Sequence, residues 1–395
     1  MTQSEDVVPP RDPAPGWGQS LAAGAAGIAL LHVENAHAGT GSWETAHQWI
    51  RAMTREPVSA TPSSSGLYRG APAVAFTLHA AGQSAYATAL CTLDEHIAAI
   101  TRHRLHKAHE RIDHGQLPTR REFDLISGLT GIGVVLLHRH ERTDLLNDVL
   151  AYLVRLTEPV NIDGDVLPGW WCCDTPGGHA AESWPGGYAN LGLAHGIAGP
   201  LTLMATAARR GIAVAGQTDA MDQICSWLER WRCGTDRTAW WPGLLSRTEW
   251  HDRTVRQSGP QRPSWCYGTP GLVRAQQLAA LALADPLRQR RAEQALAGCL
   301  NDDKQLAQLR DASVCHGWAG LLQASWRTAA DAADGELASR LPILRARLSR
   351  HVDEHGQPAD PGLLEGRAGL CLVRQAVDND VTPVTRWDAC LLLGY

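Results

Sequence analysis

Two stretches of this 395-residue sequence carry residue types that could hold a metal: Trp265-Cys266-Tyr267-Gly268-Thr269-Pro270-Gly271 and Cys315-His316-Gly317-Trp318-Ala319-Gly320. Cys266, Cys315 and His316 make three nitrogen and sulfur donors. That is the number a catalytic zinc site uses while leaving its fourth position open. The two cysteines lie 49 positions apart, which is not zinc-finger spacing. On local spacing alone, two buried cysteines remain the alternative reading.

The repeat in which these residues sit sharpens the choice. G-x-x-G occurs at Gly24/Gly27, Gly128/Gly131, Gly196/Gly199, Gly268/Gly271, Gly317/Gly320 and Gly366/Gly369, with a degenerate copy at Gly70/Ala73. Successive first glycines are 46, 58, 68, 72, 49 and 49 residues apart. Seven copies at such spacing, each running into an apolar segment, indicate a repeat architecture. One residue before the first glycine stand Ala23, Arg69, Ser127, His195, Tyr267, His316 and Glu365; two before stand Ala22, Tyr68, Ile126, Ala194, Cys266, Cys315 and Leu364. The reactive types therefore fall at equivalent positions of copies four to six. In a closed ring of repeats, such positions face one mouth.

The elements that must position them alternate in character. Apolar segments such as Trp17 to His32, Leu67 to Ala81 and Asp124 to Arg139 are each followed by an amphipathic one, such as Ser42 to Met53, where Trp43, Ala46, Trp49 and Ile50 keep helical spacing. Apolar helices inside and amphipathic helices outside describe an all-α fold, an α,α-toroid of about seven inner and seven outer helices. A stacked solenoid is the other arrangement the pattern permits. The glycines are expected to allow close approach or unusual dihedrals where each loop enters its helix. Residues just before them would then feel the positive end of a helix dipole, which favours thiolate over thiol.

Composition bounds the rest. A net charge of -5 with no basic stripe argues against nucleic acid as a partner. No apolar run is long enough for a transmembrane segment. The acidic, proline-bearing N-terminus does not read as a secretory signal, so a cytoplasmic protein with reduced cysteines is expected. Residues 1–16 read as a disordered segment, and 17–395 as a single toroid. Long Gly/Pro/Trp-rich loops, 166–188 and 240–265, flank His195 and precede Cys266. They are expected either to form an aromatic rim that guides a peptide or to cover the helix ends. The histidines at 103, 106, 109 and 114 lack any cysteine or repeat-frame support and read as a solvated helix face.

The block from Asn190 to Gly199, with Ala194-His195-Gly196 inside it, together with the two metal-donor stretches, resembles the signature blocks of the lanthionine synthetase C-like family, whose founding members are bacterial lantibiotic cyclases. The resemblance spans nearly the whole chain beyond its first 16 residues or so. It implies one zinc ion per chain, held by Cys266, Cys315 and His316. It implies His195 as general acid/base, with Asp124, Arg262 and Tyr267 also in the catalytic set. Pro263-Ser264 between Arg262 and Trp265 departs from the family's usual pattern. The implied reaction adds peptide cysteine thiols to dehydroalanine or dehydrobutyrine, giving lanthionine or methyllanthionine rings. The implied partner is a dehydrated precursor peptide with its leader, with a dehydratase and transporter complex, and through it the membrane, as further candidate associations.

The chemistry agrees. A free thiol is mostly protonated at neutral pH, and a zinc site rich in thiolate keeps a bound thiolate nucleophilic. Asp124 has a second reading as a helix cap. A zinc-bearing scaffold that binds glutathione or another thiol is the alternative function. A toroid enzyme acting on carbohydrate or prenyl groups is a third, but the paired carboxylates or Asp-rich motif it needs are not evident.

Overall fold

The structure, a computed structural model, describes residues 8–177 and 184–394. Seven helices form an inner ring: α1 (Ala25–His37), α3 (Ala71–Ala81), α6 (Leu129–Arg139), α8 (Ala198–Arg209), α11 (Thr269–Ala282), α14 (Trp318–Ala330) and α16 (Arg367–Asn379). Each packs on the next, and α16 returns to α1. Outside lie α2 (Trp43–Met53), α4 (Ala87–Asp113), α7 (Thr143–Arg155), α9 (Gln217–Arg230), α12 (Pro286–Leu300) and α15 (Glu336–His355), with short helices α5 (Arg120–Phe123), α10 (Arg247–Asp252) and α13 (Asp303–Leu306) between them. The fold is thus the expected all-α toroid. An inner helix covered on all sides is apolar throughout, and every residue of α6 is buried; α16, with no outer helix described over it, keeps a polar side at Arg374, Gln375 and Asp378. In α7 only the stripe of Leu145, Leu146, Val149, Leu150, Tyr152 and Leu153 is buried, as an outer helix requires.

The G-x-x-G pairs mark where each loop turns into its inner helix, and their reason is packing more than dihedral freedom. The first glycines of copies with full G-x-x-G take extended φ, for example −86° at Gly268 and −109° at Gly317. A Cβ on the second glycine would strike the carbonyl oxygen six residues back, at 2.0 Å from Trp265 O for Gly271 and 1.9 Å from Val314 O for Gly320. Only in the degenerate copy does the first glycine, Gly70, adopt a positive φ, of 73°.

The loops stitch the ring shut through the backbone. Leu21 N–H donates to Tyr68 O (3.1 Å), Leu125 to Ala194 O (3.1 Å), Leu193 to Cys266 O (2.9 Å), Cys266 to Cys315 O (3.4 Å), Cys315 to Leu364 O (2.8 Å) and Leu363 back to Ala22 O (2.8 Å). Each copy but the second therefore donates to its successor, and the last donates to the first. At the remaining junction, between copies two and three, Arg104 of α4 spans the gap. Its guanidinium donates to Ser65 O (2.6 Å), Pro62 O (2.6 Å) and Ser127 O.

The seventh copy has no outer helix among the described residues. Its chain turns inward instead, and Trp387 to Leu393 are wholly buried. Tyr68 donates to Cys390 O (2.9 Å), Trp265 to Leu391 O (2.8 Å) and Arg274 to Leu393 O (2.9 Å), so opposite sides of the ring hold the same tail. At the other terminus, Arg55 donates to Pro10 O at 2.6 Å and Gly16 N–H to Glu56 at 2.9 Å. Residues 1–7 of the segment expected to be disordered lie outside the described residues.

The two tryptophan-rich loops form small sheets. Val160–Ile162 (β1) and Asp165–Leu167 (β2) make a hairpin whose turn residues, Asp163 and Gly164, both have positive φ. Tyr188–Asn190 (β3) pairs antiparallel with Leu244–Ser246 (β4), joining one loop to the other. Trp170 and Trp171 are buried rather than displayed, Trp170 edge-on to Trp227 at 5.4 Å and Trp171 to Trp250 at 5.8 Å. Of the two alternatives for these loops, a peptide-guiding rim or a cover, Trp170 and Trp171 do not supply the rim: they are core. Residues 178–183 of the same loop lie outside the described residues.

Candidate metal centre and proton-transfer site

Every expected site residue lies in, or one turn before, the loop that enters an inner helix. Cys266 and Tyr267 precede α11, Cys315 and His316 precede α14, His195 precedes α8 and Asp124 precedes α6. The ring bonds described above place Cys266 against Cys315 through the backbone (3.4 Å), and Cys315 against Leu364, next to Glu365.

The Cys266 and Cys315 thiols are hydrogen-bonded to each other. The hydrogen bond with Cys315 lowers Cys266 to about 6 despite burial, helped by the Ser264 hydroxyl at 3.6 Å and the charges of His316 and Arg262. The same bond and burial push Cys315 up. One member of the pair is thus ready to ionise, as a metal ligand must be. Arg262 lies near enough for its charge to act on Cys266, Cys315 and His316 alike.

His316 is oriented from behind. Its Nε2 lies 3.3 Å from Asp311 Oδ2, while Nδ1 faces Glu365 Oε1 at 3.9 Å. The bond to Asp311 raises His316 against its burial. Burial in turn favours the neutral form of Asp311, but the bonds from His316 and Ser313 overcome it and hold the carboxyl well below its ordinary range. A carboxylate on the outer nitrogen fixes the ring and leaves Nδ1 as the donor, the arrangement usual behind metal-bound histidines. Donor atoms of Cys315, His316 and Glu365 all lie within 4.8 Å of one another, so these three can hold a cation, with Cys266 joined to them through Cys315.

The second centre is the pair His195–Asp124. Asp124 is 1% exposed. Its Oδ1 accepts from Ser127 N–H (2.7 Å) and Gly128 N–H (2.8 Å), and its Oδ2 sits 2.6 Å from His195 Nδ1. Asp124 is not the cap of α6, which starts at Leu129 with Gly128 at its N-cap and no side-chain cap bond; its Oδ1 instead closes the turn before that helix, while Oδ2 faces His195. An ionised carboxylate accepts, so Nδ1 of His195 carries the proton and Nε2 is left for the adjoining groove. Tyr267 packs 6.2 Å from the His195 ring, takes a hydrogen bond on its hydroxyl from Asn190 (3.3 Å), and has its phenol pushed up by burial.

His195 and Tyr267 line a groove of about 610 Å³ whose other walls include Arg120, Trp184 and Gln261. Of the tryptophans in the loop 166–188, Trp184 is the one that faces this groove.

Sequence reasoning did not single out Asp311, Ser264 or Glu365. A signal for Asp311 existed. Asn190, Asp311 and Asp360 each stand six residues before a repeat glycine, and each accepts the N–H two residues on, at 3.0, 2.8 and 2.6 Å. This Asx turn recurs in copies four, six and seven, and in copy six its second oxygen is turned to His316.

The profile of the family described as "Lanthionine synthetase C-like protein" matches residues 15–392. The chain is 25% identical over 275 residues to "Nisin biosynthesis protein NisC" of Lactococcus lactis subsp. lactis, an alignment covering 69% of this chain and 64% of that relative. It thus spans a little under two thirds of the curated relative it matches. The solved structure "Nisin cyclase" superposes with a TM-score of 0.82 at 23% identity, covering 96% of this chain and 93% of that one. That likeness bears on the fold, and the profile match bears on descent: the chain belongs to the lanthionine synthetase C-like family.

Proposed function

We propose that the protein is a zinc-dependent peptide cyclase that adds cysteine thiols to dehydroalanine or dehydrobutyrine in a ribosomally made, dehydrated precursor, forming the thioether rings of a lantibiotic. The observation that carries the reading is the convergence at one mouth of a thiol-rich donor set and a histidine whose tautomer is fixed by a buried carboxylate. Residues 17–395 act as one catalytic unit in the cytoplasm, on a leader-bearing peptide. A dehydratase and a transporter are its natural associates.

Cys266, Cys315 and His316 fit a zinc ion: two sulfurs, one already inclined to ionise, and an imidazole nitrogen freed by Asp311. Zinc bound there would hold an incoming peptide thiol as thiolate at neutral pH. The chain's own residues supply the remaining steps. The groove bordered by Trp184, Gln261 and Tyr267 holds the peptide so that the dehydro residue meets the thiolate. As the C–S bond forms at the β-carbon, the π electrons of the alkene move to an enolate. His195 Nε2, having taken the thiol's proton, returns one to the α-carbon, while Asp124 stabilises the imidazolium between the two transfers. We assign stabilisation of the enolate oxygen to Tyr267, which lines the groove beside His195, and to Arg262, whose charge acts on the donor set.

The test is His195→Asn. Zinc content and fold should be unchanged while cyclisation falls by about two orders of magnitude or more. Ring closure changes no mass, so free cysteines are counted by mass spectrometry after alkylation. Wild-type cyclisation in a zinc-replete variant would remove His195 from the mechanism, and loss of zinc would make it a ligand instead.

A further inference from the structure

The groove beside His195 is lined by one arginine, Arg120, and one carboxylate, Glu249. Glu249 is fully engaged: its Oε2 accepts from Ser246 N–H (2.8 Å) and Oγ (2.6 Å), and its Oε1 from Arg256 N–H (2.8 Å). Arg120 is not. It is half-buried, yet among the described residues its guanidinium takes part in no hydrogen bond or ion pair. Only its backbone N–H is engaged, donating to Asp174 Oδ1 at 3.3 Å. A Cβ built on Gly177 would sit 3.4 Å from Nη2, so the glycine leaves that side of the fork uncovered. Partial burial of a charge without an acceptor costs free energy, and here nothing in the resting protein offsets it. Five N–H donors are left to whatever enters the groove.

The chain also ties this guanidinium to the proton-transfer pair. Arg120 opens the single turn of α5 and Asp124 follows it as the C-cap, its N–H donating to Arg120 O at 3.0 Å. One turn thus carries both the carboxylate behind His195 and an arginine of the groove. The charge of Arg120 reaches the Tyr267 phenol on the groove wall, whereas that of Arg262 acts on the metal donors. We propose that Arg120 binds the carbonyl oxygen of the dehydro residue and stabilises the negative charge that collects there as the thiolate adds. This rests on the cyclase reading above. The thiolate's electron pair makes the C–S bond at the β-carbon, and the alkene π pair moves toward the carbonyl, leaving the enolate charge on oxygen. When His195 delivers a proton to the α-carbon, the carbonyl re-forms and that charge is gone. A guanidinium therefore holds this oxygen most tightly in the enolate, which speeds turnover more than it tightens binding. The Tyr267 hydroxyl can donate to the same oxygen, but on the groove wall only Arg120 brings a positive charge to it.

The experiment uses the full-length protein reloaded with zinc. The probe is a synthetic peptide with one dehydroalanine, one cysteine, no acidic side chain and an amidated C-terminus. With no carboxylate in the probe, an effect of Arg120 cannot come from pairing with one. Ring closure above the uncatalysed rate is followed by alkylation of free cysteines and mass spectrometry. In Arg120→Gln, kcat should fall by about 10²-fold or more with KM nearly kept, the pattern of an interaction made only in the transition state. Arg120→Lys, which keeps the charge but loses the fork, should lie between. In Arg120→Ala, low-millimolar guanidinium chloride should restore part of kcat, and sodium chloride at the same ionic strength should not. Tm and zinc content should be unchanged, because the bonds to Asp174 and Asp124 run through the backbone of this residue. Wild-type kcat in Arg120→Gln, or a loss confined to KM, would overturn the proposal. So would an equal response of Arg120→Ala to both salts. A wild-type protein that does not accelerate ring closure of the probe would instead overturn the cyclase reading on which the proposal rests.

Discussion

The two ends of the inner ring put opposite demands on the same helices. At the N-terminal mouth, where dipoles favour negative charge, the chain places Cys266, Cys315 and the carboxylates of Asp124, Asp311 and Glu365. At the far end it places arginines, and four of them, Arg209, Arg210, Arg274 and Arg327, line a cavity of about 250 Å³ beside the tail residue Leu393. The mouth's carboxylates and the far end's arginines sit where the dipole accepts them, whereas Asp331, at the C-cap of α14, and Asp388 are held by the arginines they pair with. Only one end is built for chemistry. Three of the four arginines share two carboxylates: Arg274 with Asp331 at 2.8 Å, Arg209 with Asp331 at 3.3 Å and Arg327 with Asp388 at 2.6 Å; Arg210 instead donates to Leu137 O at 3.2 Å. At the mouth, protons are contested between Cys266 and Cys315, and a histidine is held in one tautomer with its second nitrogen open. Charges paired once and buried are architecture, while groups left with a proton to share are reagents.

The sharpest way to break this comparison is at the mouth. Replacing Cys266 and Cys315 together by alanine should abolish metal binding and cyclisation outright, read by elemental analysis and by alkylation of free cysteines. The toroid should survive with little change in Tm. The junctions at these positions are backbone bonds, from Cys266 N–H to Cys315 O and from Cys315 N–H to Leu364 O, and alanine keeps them. Collapse of the fold would mean that the metal, not the ring, is structural.

Asp124 permits a finer cut, because its two oxygens do different work. In Asp124→Asn the side-chain carbonyl can still accept from Ser127 and Gly128, but an amide N–H meets His195 Nδ1 and forces the wrong tautomer. Cyclisation should fall by about 10²- to 10⁴-fold with its pH profile altered and Tm nearly kept. Asp124→Ala should add a loss of about 1 kcal/mol or more in stability, from the missing bonds to Ser127 and Gly128. Equal activity in Asn and wild type would leave Asp124 a support of the turn before α6 alone.

Much of this was legible in the sequence. The G-x-x-G register carried the ring, because the second glycine is forced by a carbonyl six residues back, and a steric demand of that kind recurs wherever the turn recurs. The positions one and two before the glycine carried the candidate metal donors, because the ring's backbone bonds set equivalent positions of neighbouring copies side by side. What escaped has a different physical origin. Trp170 and Trp171 sit in a Gly/Pro-rich stretch that resembles an exposed loop, but β3 and β4 pull the two loops together and bury them. The tail from Trp387 to Leu393 has no period to read, since it lies in the ring's interior as an irregular segment held by Tyr68, Trp265 and Arg274. Which oxygen of Asp311 turns to His316 is a tertiary fact, although its Asx-turn register was there to be counted.

At the far end the comparison predicts loss of stability rather than of chemistry. Asp388 is fully buried and accepts from Arg327 Nε (2.6 Å), Arg327 Nη2 (3.0 Å) and Gln323 Nε2 (2.8 Å). Asp388→Ala strands a guanidinium and frees the tail, and should cost about 3–5 kcal/mol. Urea unfolding measures it. Metal content of the surviving folded protein should be unchanged. Coupled loss of metal would mean that the tail organises the mouth as well.

The smallest effect, and the one that tests the dipole argument by its exception, concerns His138 near the C-terminal end of α6. A histidinium there should be welcome to the dipole, but burial, followed by the charges of His79, Arg210, Arg386 and His140, holds its pKa at about 3. It stacks on Phe76 at 4.6 Å, lies edge-on to His79 at 4.9 Å, and its Nε2 is buried without a hydrogen-bond partner. Desolvation and the arginines therefore outweigh the dipole at this site. In the unfolded chain the same imidazole titrates near 6.5. Between about pH 6.5 and 3 the unfolded state binds a proton that the folded state refuses, so stability is full above this window and falls as the pH drops through it. At pH 5 the loss should be about 2 kcal/mol. His79, also lowered by burial, adds in the same direction. His138→Phe keeps the aromatic stack and removes the titration. Urea unfolding at pH 7.5 and pH 5 should then show a smaller acid loss in the variant by about that amount. Both proteins should be compared in the background lacking Cys266 and Cys315, so that acid release of metal at the mouth does not contribute. An equal acid loss with and without His138 would place the acid sensitivity elsewhere and leave the dipole's defeat at this helix end without a measurable cost.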